Sequence, residues 1–421
     1  RPVLEYGSLV WEHSLRYENK VLRLQRIQAL ACRLVTGSRR STPTAALELA
    51  LNIRPIEIKI REYAMNTRVR LVNSSNWLNC IGWGDENSHS WSIERMFKST
   101  GSKDIIVESK LRTGMIVPDY QVQILGREQI ANIQVTPSEE WKVNCYTDGS
   151  KDEKGRAGTA YVIKHVEYKR QYFQSLGTDA SVFQAEVMAI NLAAHKMVMD
   201  KVRDKEVRIY VDNQSTINAL SRVISVTNFI QDTKIVLNNL SKLNTVQINW
   251  IPGHSGYLGN EIADRLAKLG TKCDFIGPHP VIPIPETNIK LELKNWALKM
   301  HNKKWSEIGT CNRAKKFFDK IKTKESRALI NWSRKNIKDV MEIVTGHNDL
   351  NYFQSKIDFS LSPMCPCDEQ EETSEHFILS CPLFNNERRN CFGFYTLEPE
   401  DLSKISLKKM LKFITETRRM L

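Results

Sequence analysis

The sequence has no uninterrupted apolar run near the roughly 18 residues that a membrane-spanning helix needs. Its first residues, Arg1-Pro2-Val3-Leu4-Glu5, show neither an initiator Met nor the pattern of a secretory leader. A soluble chain without a membrane partner is expected, and the start reads as that of a fragment. Internal repeats and low-complexity tracts are lacking too, and so is the composition of collagen, a coiled-coil fibre or a disordered chain. Cysteine is scarce and odd in number, nine residues spread from Cys32 to Cys391 with one tight group. That usage argues against a secreted disulfide scaffold and for a reducing, intracellular setting. Negative charge is in deficit: 48 Asp and Glu face 61 Lys and Arg, a net charge of +13. Such a surplus favours a polyanionic partner, although an ordinary basic protein carries it as well.

The 421 residues are 41% hydrophobic and 26% charged, enough for two to four packed units. In residues 1–72, 13 Lys and Arg accompany six Glu. Leu24, Ile27, Ala31 and Leu34 recur at helical spacing while Lys20, Arg23, Arg26 and Arg33 share another face, which predicts an amphipathic helix over about 15–35. Thr36-Gly37 ends it, and a second helix is expected with Thr42 as N-cap and Pro43 at its first position. The organisation expected is a helical segment at 1–75, a variable connector at 76–138, an alternating strand and helix domain at 139–273, and a linker at 274–289 holding Pro278, Pro280, Pro283 and Pro285. A basic helical region at 290–361, a Cys/His module at 362–390 and a helical tail at 391–421 complete it.

Within 139–273 four acids occupy positions that ordinary packing does not require. Val143, Cys145 and Thr147 alternate with Asn144, Tyr146 and Asp148, so Asp148 is expected at a strand end, with Gly149 and Ser150 turning the chain. Asp212 follows Val207, Ile209 and Val211 in the same way, before a helix begins at Asn213 to Ser215. Glu186 falls in an apolar helix, Ser181 to Asp200, beside Val182, Phe183, Ala189 and Ile190, where a carboxylate costs several kcal/mol unless compensated. Asp264 lies near the start of a helix from about Asn260 that is expected to bury Ile262, Leu266 and Leu269. Carboxylate-only clusters suit hard cations such as Mg²⁺, and paired ions promote phosphodiester hydrolysis. Spacing alone leaves open that these acids lie apart.

Five segments, in order, are Tyr146-Thr147-Asp148-Gly149-Ser150, Phe183-Gln184-Ala185-Glu186, Tyr210-Val211-Asp212-Asn213, Trp250-Ile251-Pro252-Gly253-His254-Ser255-Gly256 and Gly259-Asn260-Glu261-Ile262-Ala263-Asp264. Together they resemble type 1 ribonuclease H. The resemblance implies a mixed five-stranded sheet with flanking helices, two Mg²⁺ or Mn²⁺ ions, and hydrolysis of RNA within an RNA/DNA hybrid. It assigns Asp148 to both metals, Glu186 and Asp212 to the leaving-group metal, and Asp264 to the water-activating metal. A lone loop histidine is usually just solvated; the resemblance gives His254 a part in proton transfer or product release. Ser150, Asn213 and Gln214 are candidates for contacts to the hybrid backbone or 2′-hydroxyls, with strand-end capping as the other reading.

Cys365, Cys367, His376 and Cys381 form a complete set of four zinc ligands, which leaves no open position and so implies a structural Zn²⁺. The single residue between the first two, Pro366, is a tighter bite than usual. Cys32, Cys80, Cys145, Cys273, Cys311 and Cys391 read as packing or surface thiols. Thr345 to His347, Leu350, the Cys/His group and Cys381-Pro382 resemble the C-terminal end of non-long-terminal-repeat retrotransposon polyproteins, particularly the arthropod type-1 elements, and that resemblance implies a zinc-knuckle-like module that binds nucleic acid. Pro2, Tyr6-Gly7, Trp11, Leu24-Gln25, Arg33, Thr36-Gly37, Arg39-Arg40, Thr42-Pro43, Ala46-Leu47 and Pro55-Ile56 resemble the segment after the reverse-transcriptase palm in the same elements. A thumb- or connection-like tail, an upstream reverse-transcriptase portion as partner and a nuclear location are the further implications. No Asp-Asp pair occurs, so polymerisation by this chain alone is not expected. Two readings compete: an active ribonuclease H within a polyprotein, and a nucleic-acid-binding remnant whose catalysis is lost.

Overall fold

The computed structural model describes residues 2–72, 77, 88–100, 107–108, 115–124, 139–225, 227–275 and 282–420. Most of the connector, Cys80, Pro278 and Pro280 lie outside the described residues. The chain forms two compact units, one from Arg1–Arg68, Gly84–Met96 and Glu292–Leu421, the other from Val69–Trp83 and Phe97–Leu291.

The second unit is built on a mixed sheet. Its strands are β1 (Gln121–Gln123), β2 (Lys142–Lys151), β3 (Ala157–Lys164), β4 (Lys169–Gly177), β5 (Glu206–Val211) and β6 (Thr245–Trp250), in spatial order β1-β6-β5-β2-β3-β4. Strands β1, β6, β5 and β2 run parallel, whereas β2, β3 and β4 form an antiparallel meander. The five expected strands are thus joined by a short sixth, supplied by the connector at the β6 edge. Helices α1 (Val182–Met199), α2 (Gln214–Ser221), α3 (Asn228–Ser241) and α4 (Leu258–Gly270) flank the sheet.

Alternation along β2 divides the core in two. Val143 and Cys145 pack with Ile190, Ala193, Ala194 and Met197 of α1 and Leu237 of α3, while Tyr146 packs with Tyr210, Ile262 and Ala263. Helix α4 approaches closely because its inner face is small: a Cβ at Gly259 would lie 2.3 Å from the Tyr146 ring. That face uses Gly259, Ala263, Ala267 and Gly270, and Leu269, expected inside, is 42% exposed. Helix α1 starts with a capping box in which Ser181 and Gln184 satisfy each other's backbone N–H groups. The Gln184 amide also donates to the carbonyl of Pro283 at 2.7 Å, and Ile282 and Ile284 are buried, so the described part of the linker packs on this unit.

The first unit is helical. Cys32, Leu47 and Leu49 share one apolar core with Trp305, Phe317, Val340, Met341, Phe377, Ile378, Met410 and Phe413. Segments that read separately along the chain therefore close a single core. The first helix of that core, Glu18–Thr36, ends on Gly37 at φ 72°, as expected. Its buried face is not the expected one, because Ile27 and Leu34 are 67% and 60% exposed and Gln28, Ala29 and Cys32 are buried. Small Ala29 and Cys32 permit close packing, and Gln28 is satisfied by donating to Glu48 Oε1 at 2.5 Å and to the Arg54 carbonyl at 3.0 Å. The next helix, Thr44–Ala50, has Pro43 as N-cap residue in an extended conformation, one position later than the sequence suggests, and Thr42 does not cap it. The helix Glu286–Glu307 begins directly after Pro285.

Candidate active site and metal centre

Asp148, Glu186 and Asp212 bring one carboxylate oxygen each within 4.8 Å of one another. Asp148 belongs to the interior of β2, not to a turn: it pairs with Ala160, and the ladder continues through Gly149↔Thr159 to Lys151↔Ala157. On its other side the pairing with β5 stops at Thr147↔Val211, which leaves Asp148 beside the end of β5, where Asp212 follows. Gly149 serves a different purpose from turning. A Cβ there would lie 2.3 Å from the Glu186 backbone nitrogen and 2.6 Å from the Ala185 carbonyl carbon, so only glycine lets α1 reach over the strand. Thr159 Oγ1 ties the same point by donating to the Ala185 carbonyl at 2.9 Å.

Burial and mutual repulsion set the electrostatics. Burial first, then Asp212 and Asp264, push the Asp148 carboxyl up from 3.8 to about 7, while Lys268 opposes the rise. Burial, then Asp148 and Asp212, hold the Glu186 carboxyl well above the usual range. Glu186 is 3% exposed and its Oε2 has no hydrogen-bond partner among the described residues. An unpaired carboxylate oxygen in such a place costs several kcal/mol, and a divalent cation among the three acids removes both that cost and the repulsion. The donor set is all oxygen, as Mg²⁺ or Mn²⁺ prefers.

Burial raises the Asp212 carboxyl, and a hydrogen bond from Asn260 opposes the rise. Asn260, 4% exposed, donates Nδ2 to Asp212 Oδ2 at 3.3 Å; sequence reasoning quoted this residue without a role. Trp250 Nε1 donates to the Asp212 carbonyl at 2.9 Å and fixes the strand end from β6. Asp264 is on the second turn of α4, close enough to raise Asp148 and Asp212, but it is not among the three acids that converge. Its Oδ2 accepts from Lys268 Nζ at 2.8 Å. His254 is exposed, at φ 53°, and near enough to Asp212 to act on its charge. Asn213 caps α2, its Oδ1 accepting from the N–H groups of Ser215 and Thr216 at 2.9 and 3.3 Å. Ser150 is half-buried on β2, and Gln214 is exposed at the first turn of α2.

The ligand atoms of Cys365, Cys367, His376 and Cys381 also lie within 4.8 Å of one another. Cys365 Sγ is 3.6 Å from Cys381 Sγ, and Cys367 Sγ is 3.2 Å from His376 Nε2. The tight bite closes through a turn in which the Asp368 N–H donates to the Cys365 carbonyl at 2.9 Å, with Asp368 at φ 59°. His376 lies on the helix Ser374–Leu379, capped at its start by Thr373. At its other end the fully buried Arg388 donates to the carbonyls of Ile378 at 2.7 Å and Cys381 at 2.9 Å, a role with no signal in the sequence. Three thiols and an imidazole nitrogen so placed can hold zinc with four protein ligands.

Residues 140–272 match the family described as RNase H, so the sheet and its acidic cluster constitute an RNase H domain. That domain is distantly related to viral and bacterial proteins. The Pol polyprotein of equine infectious anemia virus (strain Wyoming) is 28% identical over 127 residues, 30% of this chain and 10% of that protein. Ribonuclease HI of Haemophilus ducreyi is 26% identical over 144 residues, 30% of this chain and 89% of that protein. Ribonuclease H of Legionella pneumophila (strain Corby) is 26% identical over 147 residues, 31% of this chain and 96% of that protein. The chain spans about a tenth of the length of the Pol polyproteins it matches. Among the described residues no helix is long and apolar enough to cross a membrane.

Proposed function

We propose that this chain hydrolyses the RNA strand of RNA/DNA hybrids as part of a retrotransposon polyprotein. The observation that carries the reading is the convergence of Asp148, Glu186 and Asp212 around an unpaired, buried Glu186 oxygen, inside a domain that matches RNase H. These acids, with Asp264, would hold two Mg²⁺ or Mn²⁺ ions. When bound, such ions supply an activated water and stabilise the leaving oxygen in phosphodiester cleavage.

The side chains of the chain itself position and protonate. Asp148, whose charge acts on Glu186 and whose carboxyl is raised by burial, Asp212 and Asp264, is the residue assigned to both ions. Asn260 and Trp250 hold Asp212 in register from α4 and β6. His254, on a loop beside Asp212, carries an imidazole that can deliver a proton to the departing 3′-oxygen. Asn213 uses Oδ1 as a cap and keeps its Nδ2 for a 2′-hydroxyl, and Ser150 and Gln214 border the same strand ends, so all three can read the RNA strand.

The Cys/His group would hold one structural Zn²⁺, and the basic helical unit around it would bind nucleic acid beside an upstream reverse-transcriptase portion. Similarity to a retroviral Pol polyprotein supports a reverse-transcribing context; a nuclear location is proposed by analogy with the retrotransposon resemblance alone. The test is a hybrid labelled on each strand in turn. Loss of the RNA strand alone is expected; equal cutting of both strands, or of neither, contradicts the reading.

A further inference from the structure

The fourth acid of the site, Asp264, is not among the three that converge and is paired with a cation of its own helix. Asp264 Oδ2 accepts from Lys268 Nζ at 2.8 Å, one turn further along α4, with side chains 24% and 56% exposed. Asp148, Glu186 and Asp212 meanwhile converge, and the Glu186 Oε2 has no hydrogen-bond partner among the described residues. Two differently prepared places for a positive charge therefore exist: one among three acids of which two are buried, the other already answered by an ammonium group. We infer that Lys268 is a positioning residue that occupies Asp264 and thereby makes the second divalent cation bind after the first and more weakly. The inference rests on the reading of the acidic cluster as a cation site.

The physical argument is competition. A second ion that uses Asp264 must break the Lys268 contact and then sit near a positive group, whereas the first ion meets the unpaired Glu186 oxygen and an Asp212 carboxylate held by the neutral Asn260 amide. Lys268 is half exposed, so its ammonium regains water on release and the barrier is modest. Exposed ion pairs of this kind change an equilibrium by up to about fivefold. The same lysine counters part of the repulsion on Asp148, so the cluster tolerates assembly before any ion arrives. A purely structural helix pair would have no effect on ion binding.

Titration of the zinc-loaded full chain, freed of Mg²⁺, with Mn²⁺, followed by calorimetry and by the spectroscopic signal of free Mn²⁺, tests this without any turnover. Wild type should take up one ion and then a weaker second. In Lys268→Met the second half-saturation point should fall by roughly two- to fivefold. Lys268→Arg should behave as wild type, and in an Asp264→Asn background Lys268→Met should lose most of its effect. A Lys268→Met isotherm superimposable on wild type overturns the inference, as does the same gain persisting with Asp264→Asn. Failure of wild type to bind Mn²⁺ at all overturns the reading of the acidic cluster itself, and this inference with it.

Discussion

Gly149 and Glu186 are locked together by a distance that no other residue at 149 permits: a Cβ on Gly149 would fall 2.3 Å from the Glu186 backbone nitrogen. The contact is backbone against backbone, so neither side can yield by changing a rotamer. Gly149→Ala must push α1 away from β2 and carry Glu186 out of the cluster. Overpacking of this type costs about 1–3 kcal/mol, with a lowered melting temperature, and hybrid cleavage should fall further than stability does. An alanine variant as active and as stable as wild type would show that α1 does not lie where it is described.

Asp148 supplies a pH signature. Its folded carboxyl is raised from 3.8 to about 7, so the folded state holds a proton that the unfolded chain releases. Stability from this group is fully present below about pH 4 and is lost as pH rises towards 7. In EDTA, the denaturation midpoint of wild type should therefore drop relative to that of Asp148→Asn across this window. Adding Mg²⁺ at neutral pH should close the gap. Parallel curves for the two proteins would contradict the buried cluster.

The Cys/His group and the helix Glu18–Thr36 share a core. Phe377 and Ile378, the two residues after His376, pack in the same cluster as Cys32 and Leu47. Metal analysis should find one Zn²⁺ in wild type and none in Cys381→Ser. Hydrogen exchange in that variant should speed up at Glu18–Thr36 as well as near the cysteines. Protection unchanged in the first helix would mean that the Cys/His group folds by itself.

Arg388 is 0% exposed and donates to the carbonyls of Phe377, Ile378, Cys381 and Tyr395. Arg388→Met keeps much of the volume and strands these acceptors. A loss of about 3 kcal/mol or more is expected in denaturant unfolding. A change below about 1 kcal/mol would mean that the carbonyls find other donors.

The acids of the site stand out because they break local patterns, but it is the resemblance to ribonuclease H that groups them, since spacing alone leaves open that they lie apart. Asp148 and Asp212 follow strict alternation, and Glu186 interrupts an apolar helix, so each stands out within about ten residues of sequence. What joins them was not legible. Gly149 looks like a turn residue until α1 is seen lying on it, and Asn260 looks like any helix-start residue until it meets Asp212. The N-terminal helix shows a second limit. Its apolar stripe at Ile27 and Leu34 is exposed, and Gln28, which carries no hydrophobic signal, is buried against Glu48 and Arg54. The core shared by Leu47 and Phe413 depends on contacts hundreds of residues apart, which no local period records.

Hydrolysis of RNA in a hybrid by the carboxylate cluster is read most directly from the product of the full chain acting on a 5′-labelled RNA strand annealed to DNA, in Mg²⁺. Water attack with loss of the 3′-oxygen predicts RNA fragments ending in 3′-hydroxyl and 5′-phosphate, with no product in EDTA or with Asp148→Asn. Intact RNA in the presence of folded wild-type protein, 2′,3′-cyclic ends, or undiminished cleavage by Asp148→Asn would contradict the account.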